Sequence, residues 1–268
     1  MAEYNSVVIQ TMQVSPIMRI IRVKPEGWEL PDFKPGQFIT LGLNASSPRV
    51  SEATEEKQTY DDPEKLIKRA YSIASSSTQE FVEFYITLVH SGALTPRIFN
   101  LKVGDKIWMG KRATGMFTLD EIDDNQNVVL IATGTGVAPY MSMLRSNILH
   151  RKGNIMVIHG AANSWDLGYS SELQLLESMF PNFYYHPTIT EVDKEPAGWH
   201  GDTRFIDKIW DTGTVEKKWG MKPAPENTHI FLCGNPNMIN GMVELLEKEN
   251  FKVHKRKEPG QIHYEEFF

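Results

Sequence analysis

The chain has 268 residues, 41% apolar and 23% charged, which excludes a disordered chain and supplies apolar material for about two domains. Its net charge of −6 argues against a nucleic-acid partner. The single cysteine, Cys233, leaves no disulfide framework, no cysteine-rich zinc site and no cysteine-ligated iron–sulfur cluster, which needs about four thiolates.

The first hundred residues read as short strands. Ser6 to Gln13 is β-branched. Met18 to Val23 alternates and stops at the turn residues Pro25-Glu26-Gly27. Pro35-Gly36 introduces a strand from Gln37 to Leu43, and Phe81 to Val89 is rich in aromatic and β-branched residues. Leu101 to Asp105 turns into Lys106 to Gly110. Short strands between turn signals predict an antiparallel β-barrel or sandwich. Asn44 to Lys68 interrupts them, carries Glu52, Glu55, Glu56, Asp61, Asp62 and Glu64, and reads as a long surface loop.

The pattern then changes. Asn127 to Ala132, Ile155 to Gly160, Phe183 to Thr190 and His229 to Gly234 read as buried strands. Helical stretches lie between or after them, at Ala138–His150, Ser170–Phe180 with Ser170 or Ser171 as cap, Thr203–Trp210 and Pro236–Asn250. Strands alternating with helices predict a doubly wound, parallel α/β sheet. The expected domains are therefore residues 1–112 and 113–268, with the boundary between Lys111 and Gln126.

Three motifs carry chemistry. Gly134-Thr135-Gly136 ends a buried strand and opens a helix, where glycine lets the backbone approach a pyrophosphate. The third fingerprint glycine is absent, with Pro139 near its place, so a plain glycine turn is the competing reading. Arg69-Ala70-Tyr71-Ser72 presents a cation, a flat ring and a hydroxyl on one strand. A surface arginine beside a core tyrosine would look the same. Cys233-Gly234-Asn235-Pro236 again joins a strand end to a helix, at the edge where open α/β sheets bind ligands; the alternative is a buried structural cysteine.

RAYS, then GALTPR from Gly92 to Arg97, then LKVGD, ATGTGVAPYMSML and CGNPNM, in that order, resemble the ferredoxin–NADP(+) reductase family, and more narrowly its compact bacterial members. The likeness runs from about Gln37 to the C-terminus and is weakest in the acidic loop. It implies a barrel that binds FAD and an α/β domain that binds NADP(H) or NAD(H). By that resemblance Arg69, Ala70, Tyr71, Ser72, Tyr85, Ala93, Leu94, Thr95 and Thr135 contact FAD, and Phe267 and Phe268 end a tail that packs on it. Gly134, Gly136, Asn163, Thr190, Glu191, Arg204, Cys233 and Gly234 would line the nucleotide. Ser72, Cys233 and Phe268 would stand at the reacting rings. Two terminal phenylalanines also call for a surface to cover.

The departures bear on the nucleotide. NADP-specific members carry arginines about the 2′-phosphate, where this chain has Asn163 after His159-Gly160-Ala161-Ala162 and Glu191 after Thr190. Arg204 or Lys194 remains to meet a phosphate. The sequence leaves NADPH and NADH open.

Basic residues at Arg19, Arg22, Lys24, Lys65, Lys68, Lys111-Arg112 and Lys255-Arg256-Lys257 are solvated surface by default, or a rim that steers an acidic ferredoxin or flavodoxin. Other readings stay open: a stand-alone NADH-dependent reductase of an oxygenase system, or a flavin-free nucleotide-binding module. The histidines have no metal-ligand spacing. Lone cysteine usage, the lack of a signal-peptide pattern and the lack of a long apolar run predict a cytoplasmic, membrane-free protein, expected to be a monomer although the sequence does not fix its oligomeric state.

Overall fold

The computed structural model describes residues 3–147 and 150–266. Its chain separates into two compact units. One comprises the residues up to Leu119 together with Ala138–Ser146; the other comprises Asp120–Val137 and the residues from Asn147 onward.

The first unit is a six-stranded antiparallel sheet made of β1 (Ser6–Ser15), β2 (Met18–Pro25), β3 (Phe38–Asn44), β4 (Leu66–Ser72), β5 (Val82–Thr87) and β6 (Lys106–Met109). The order is β4-β3-β6-β1-β2-β5. The two ends of this order meet where the Ala74 N–H donates to the Glu83 carbonyl at 2.8 Å, which curls the sheet toward a barrel. Its interior is filled by Val8, Ile21, Leu41, Leu43, Ile73, Phe84, Ile107 and their neighbours. The predicted loop is shorter than Asn44–Lys68, because Leu66 already pairs with Asn44 in the β3–β4 ladder. A helix absent from the sequence reading, α1 (Thr95–Asn100), follows β5; six residues give no helical period, although Pro96 in the first turn is a start signal.

The loop before β4 is anchored to this helix. Arg97, 4% exposed, donates to both oxygens of Glu56 at 3.1 Å and to the Ala45 carbonyl at 2.5 Å. The Val50 N–H reaches the Pro96 carbonyl, and the His90 Nδ1–H reaches the Glu52 carbonyl.

The second unit is a parallel sheet of β7 (Asn127–Thr133), β8 (Ile155–Ala161), β9 (Phe183–Ile189), β10 (Thr228–Gly234) and β11 (Ile262–Glu266), in the order β11-β10-β7-β8-β9. β7 and β8 are buried along nearly their whole length because both faces of a parallel sheet are covered, which explains their continuous apolar sequence. Pro187 is tolerated because β9 lies at an edge of the sheet. The helices are α2 (Ala138–Asn147), α3 (Ser170–Met179), α4 (Ile206–Asp211), α5 (Thr214–Trp219) and α6 (Pro236–Lys248).

Several sequence expectations are corrected. Neither Ser170 nor Ser171 caps α3; Tyr169 holds that position without a side-chain bond. The Thr203–Trp210 helix starts only at Ile206. α5 and β11 were not anticipated. α6 begins as expected: Asn235 accepts from the Asn237 N–H, Pro236 sits in the first turn, and Ile239, Met242 and Leu246 face the core.

The first unit also buries a carboxylate. Glu83, 1% exposed, accepts from Arg22 Nε at 2.7 Å and from Arg145 Nη1 at 2.7 Å. Arg145 also donates to the Ala74 carbonyl, fixing α2 in this unit. Removing the carboxylate strands two guanidinium groups that are partly withdrawn from water. Glu83→Gln should lower unfolding stability by about 3 kcal/mol, read as an earlier denaturant midpoint at unchanged slope.

Candidate functional site

In the second unit the topology itself creates a site. From β7 the chain proceeds to β8 on one side, while β10 is laid on the other side. Ligands of open α/β sheets bind beyond the carboxyl ends of strands at such a switch point. Here those ends are Thr133 and Gly234, and the turns that follow them interlock. A Cβ on Gly136 would lie 2.3 Å from the Cys233 carbonyl oxygen. A Cβ on Gly234, at φ +127°, would lie 2.3 Å from Thr133 Oγ1. The Asn235 N–H donates to that hydroxyl at 2.7 Å. Both glycines are therefore required by space, which places two backbone turns flush at the sheet edge.

Gly134 is held from beneath. His159, fully buried on β8, donates from Nε2 to the Gly134 carbonyl at 2.9 Å. Burial pushes its pKa down to about 4, so it is neutral at physiological pH. Cys233 is also fully buried, and burial pushes its thiol pKa well up. It is a protonated, packed thiol and not a nucleophile. Thr135 is half-buried in the turn. Thr133 and Asn235, which flank Gly134 and Gly234 in the motifs, and His159 on β8 had no expected ligand role; their hydrogen bonds show that they hold the turns.

The carboxyl ends of β8 and β9 lie side by side, since the Thr190 and Glu191 N–H groups donate to the Ala161 and Ala162 carbonyls. Four expected residues gather there. Glu191 pairs with Lys194 at 2.6 Å, and that bond holds its carboxyl below the usual range. Arg204 does not stand open to a ligand: its Nε and Nη2 both donate to Asp202, and its Nη1 donates to Thr212 at 2.7 Å. Asp202 also accepts from His186 Nε2 at 2.8 Å, and its carboxyl is held far below the ordinary value, chiefly by Arg204. Asn163 is 8% exposed and donates from Nδ2 to Asp166 at 3.4 Å, leaving its buried Oδ1 without a partner. Thr190 is exposed.

In the first unit β4 carries Arg69, Ala70, Tyr71 and Ser72. Arg69 is exposed, and its guanidinium donates to the Lys68 carbonyl at 2.7 Å. The Tyr71 ring packs edge-on against Phe84 at 6.3 Å. Its hydroxyl is buried with no hydrogen-bond partner, and burial raises its pKa, so it is a proton donor with nothing to donate to. Ser72 is buried opposite Phe38. Tyr85 is 4% exposed, with its hydroxyl against Met18 Sδ at 3.0 Å. The Thr95 hydroxyl accepts from the Val89 N–H at 3.0 Å, and Leu94 is buried as the cap of α1. The Ala93 carbonyl accepts from Arg97. Phe267 and Phe268 lie outside the described residues. Among the described residues no group of three or more His, Cys, Asp or Glu side chains is placed to hold a metal ion.

The model of the oxidoreductase NAD-binding domain matches residues 130–244. The chain is 33% identical over 238 residues to the flavodoxin/ferredoxin–NADP reductase of Buchnera aphidicola subsp. Baizongia pistaciae (strain Bp), covering 88% of each. The chain belongs to the flavodoxin/ferredoxin–NADP reductase family. The Escherichia coli (strain K12) member is 33% identical over 208 residues, covering 77% of this chain and 76% of its own. A ferredoxin NADP+ reductase from Neisseria gonorrhoeae, solved with bound FAD and NADP, has the same fold over 100% of both chains, with a TM-score of 0.82 at 24% identity. A ferredoxin reductase in carbazole 1,9a-dioxygenase shares the fold at a TM-score of 0.72 and 21% identity, so the fold alone does not separate this reductase family from oxygenase reductases.

Gly136→Ala should raise the nucleotide KM at least about tenfold, because the obstruction is backbone and cannot rotate away. Steady-state kinetics with flavin content held equal would check it. His159 predicts a pH signature. Its pKa is about 4 in the folded chain against about 6.5 unfolded, so the unfolded state binds the extra proton between these values. Stability is full above about pH 6.5 and falls by roughly 3 kcal/mol toward pH 4. His159→Gln should flatten that slope in denaturant titrations.

Proposed function

We propose that the chain is an FAD-dependent ferredoxin/flavodoxin–NAD(P)+ reductase. It exchanges a hydride with a nicotinamide nucleotide and single electrons with a small redox protein. In this reading residues 1–112 bind flavin and residues 113–268 bind the nucleotide.

The observation that carries the flavin assignment is the buried, unpartnered hydroxyl of Tyr71 two residues from the exposed Arg69. A buried donor without an acceptor costs about 1–3 kcal/mol unless a ligand supplies one. A guanidinium on the same strand suits a pyrophosphate. These residues fit FAD, which when bound converts a two-electron hydride into single electrons. Arg69 holds the diphosphate, with the segment Ala93–Thr95 beside it. Tyr71 would supply its unpartnered hydroxyl to the cofactor. Ser72 would meet the flavin and Thr135 the nicotinamide nucleotide. Gly134, Gly136 and Gly234 admit the nucleotide's diphosphate and nicotinamide at backbone distance. Cys233 supplies a neutral, packed wall for the nicotinamide, since its thiol stays protonated. No side chain need supply or remove a proton during hydride transfer.

The relatives are named for flavodoxin and ferredoxin, and a small redox protein of that kind is the partner. Lys65, Lys68, Lys111 and Arg112 are the candidate steering charges. Arg22 and Lys24 are weaker candidates because Glu83 and Glu80 already pair with them. No helix is long and apolar enough to cross a membrane. The single cysteine suits a reducing compartment such as the cytoplasm.

The purified protein should be yellow with one FAD per chain. Tyr71→Phe is the discriminating variant: it should leave the FAD-free protein equally stable, because the hydroxyl has no partner there, yet weaken FAD binding by about fivefold to tenfold. A colourless protein that takes up no added FAD would favour the flavin-free nucleotide module instead.

A further inference from the structure

We propose that this reductase selects NADH over NADPH, because the adenosine end of its nucleotide site is built for a free ribose 2′-hydroxyl. The inference rests on the reductase reading. In nucleotide-binding α/β sheets a carboxylate beyond the early strands accepts from the 2′-hydroxyl of NAD, whereas an arginine there receives the 2′-phosphate of NADP. The corresponding place here is the adjoining ends of β8 and β9, where Asn163 and Glu191 meet.

The cations at this end are already engaged. Lys194 is bonded to Glu191 at 2.6 Å. Arg204 forms a two-pronged pair with Asp202. Releasing Arg204 to a phosphate would leave the Asp202 side chain, only 8% exposed, beside an incoming dianion. Asp202 is further fixed by the Arg204 backbone N–H at 3.0 Å and by His186. Lys208 lies between Asp207 and Asp211, each at 3.4 Å.

The first donors beyond β8 are likewise occupied. The Ser164 N–H and hydroxyl donate at 2.7 Å to the two oxygens of Glu195. This carboxylate already binds where a phosphate would seek donors, and it would repel one. Asn163 adds a discriminating feature. Its Nδ2 is directed at Asp166, so its buried Oδ1 is an acceptor waiting for a donor. A hydroxyl donates, whereas a phosphate dianion only accepts. Asp166, Glu191, Glu195 and Asp202 thus stand against Lys194 and Arg204.

The test uses the FAD-loaded enzyme. Ferricyanide reduction gives kcat/KM for each nucleotide, and calorimetry gives the affinity for 5′-AMP and 2′,5′-ADP as fragments. The expected result is a kcat/KM at least about tenfold higher for NADH, and no tighter binding of 2′,5′-ADP than of 5′-AMP. Glu191→Arg, at an exposed position, should raise kcat/KM for NADPH about tenfold and lower it for NADH, with FAD content unchanged. Equal rates with both nucleotides, a preference for NADPH, or tighter binding of 2′,5′-ADP would overturn the proposal while leaving the reductase reading intact. A chain that holds no FAD yet favours 5′-AMP would support the pocket assignment and break the reductase reading. Binding of neither fragment would overturn both.

Discussion

The nucleotide half of this reductase depends on one close approach, that of two backbone turns at the head of the parallel sheet. Gly136 meets the Cys233–Gly234 peptide, and Gly234 meets Thr133, with no room for a side chain at either. The adjacency of β7 and β10 brings these turns together, and the glycines let them close. Thr133 and His159 then secure them, one through the Asn235 N–H and the other through the Gly134 carbonyl. A planar ring or a diphosphate can approach a surface made of peptide groups more closely than one covered by side chains.

Charge is distributed in two ways. Some basic residues that stand out in the sequence serve the fold: Arg22 and Arg145 share Glu83, and Arg97 grips Glu56. Arg69 donates to the Lys68 carbonyl and keeps its cation exposed. Arg22, Arg97 and Arg145 are thus architectural, whereas the Arg69 cation stays open to solvent. This contrast also changes the meaning of the acidic loop. Through Glu56 that loop is bolted to the helix following β5, so it braces the segment Ala93–Thr95.

Most of the fold was legible in the chain. Alternation in β1 to β3 and continuous apolar runs in β7, β8 and β10 reflect one covered face against two. What escaped was short or polar. Thr95–Asn100 has too few residues for a helical period, and Ile262–Glu266 carries His263, Glu265 and Glu266, which mask a strand. The cap of α3 misled because two serines sit one position inside the helix. The glycine turns, Arg69 and Tyr71 were readable as motifs. The bond between His186 and Asp202 was not, because it depends on β9 placing His186 against a loop sixteen residues further on.

The strand β11 has a bearing on biogenesis. It pairs in parallel with β10 from Ile230↔Ile262 to Gly234↔Glu266, so the flank of β10 stays open until the intervening helix has folded and residue 262 and its successors arrive. During synthesis the half-built sheet therefore exposes an unsatisfied apolar border carrying the cysteine, the kind of surface that invites pairing between nascent chains. Completion of the enzyme and protection from self-association coincide in the docking of one five-residue segment.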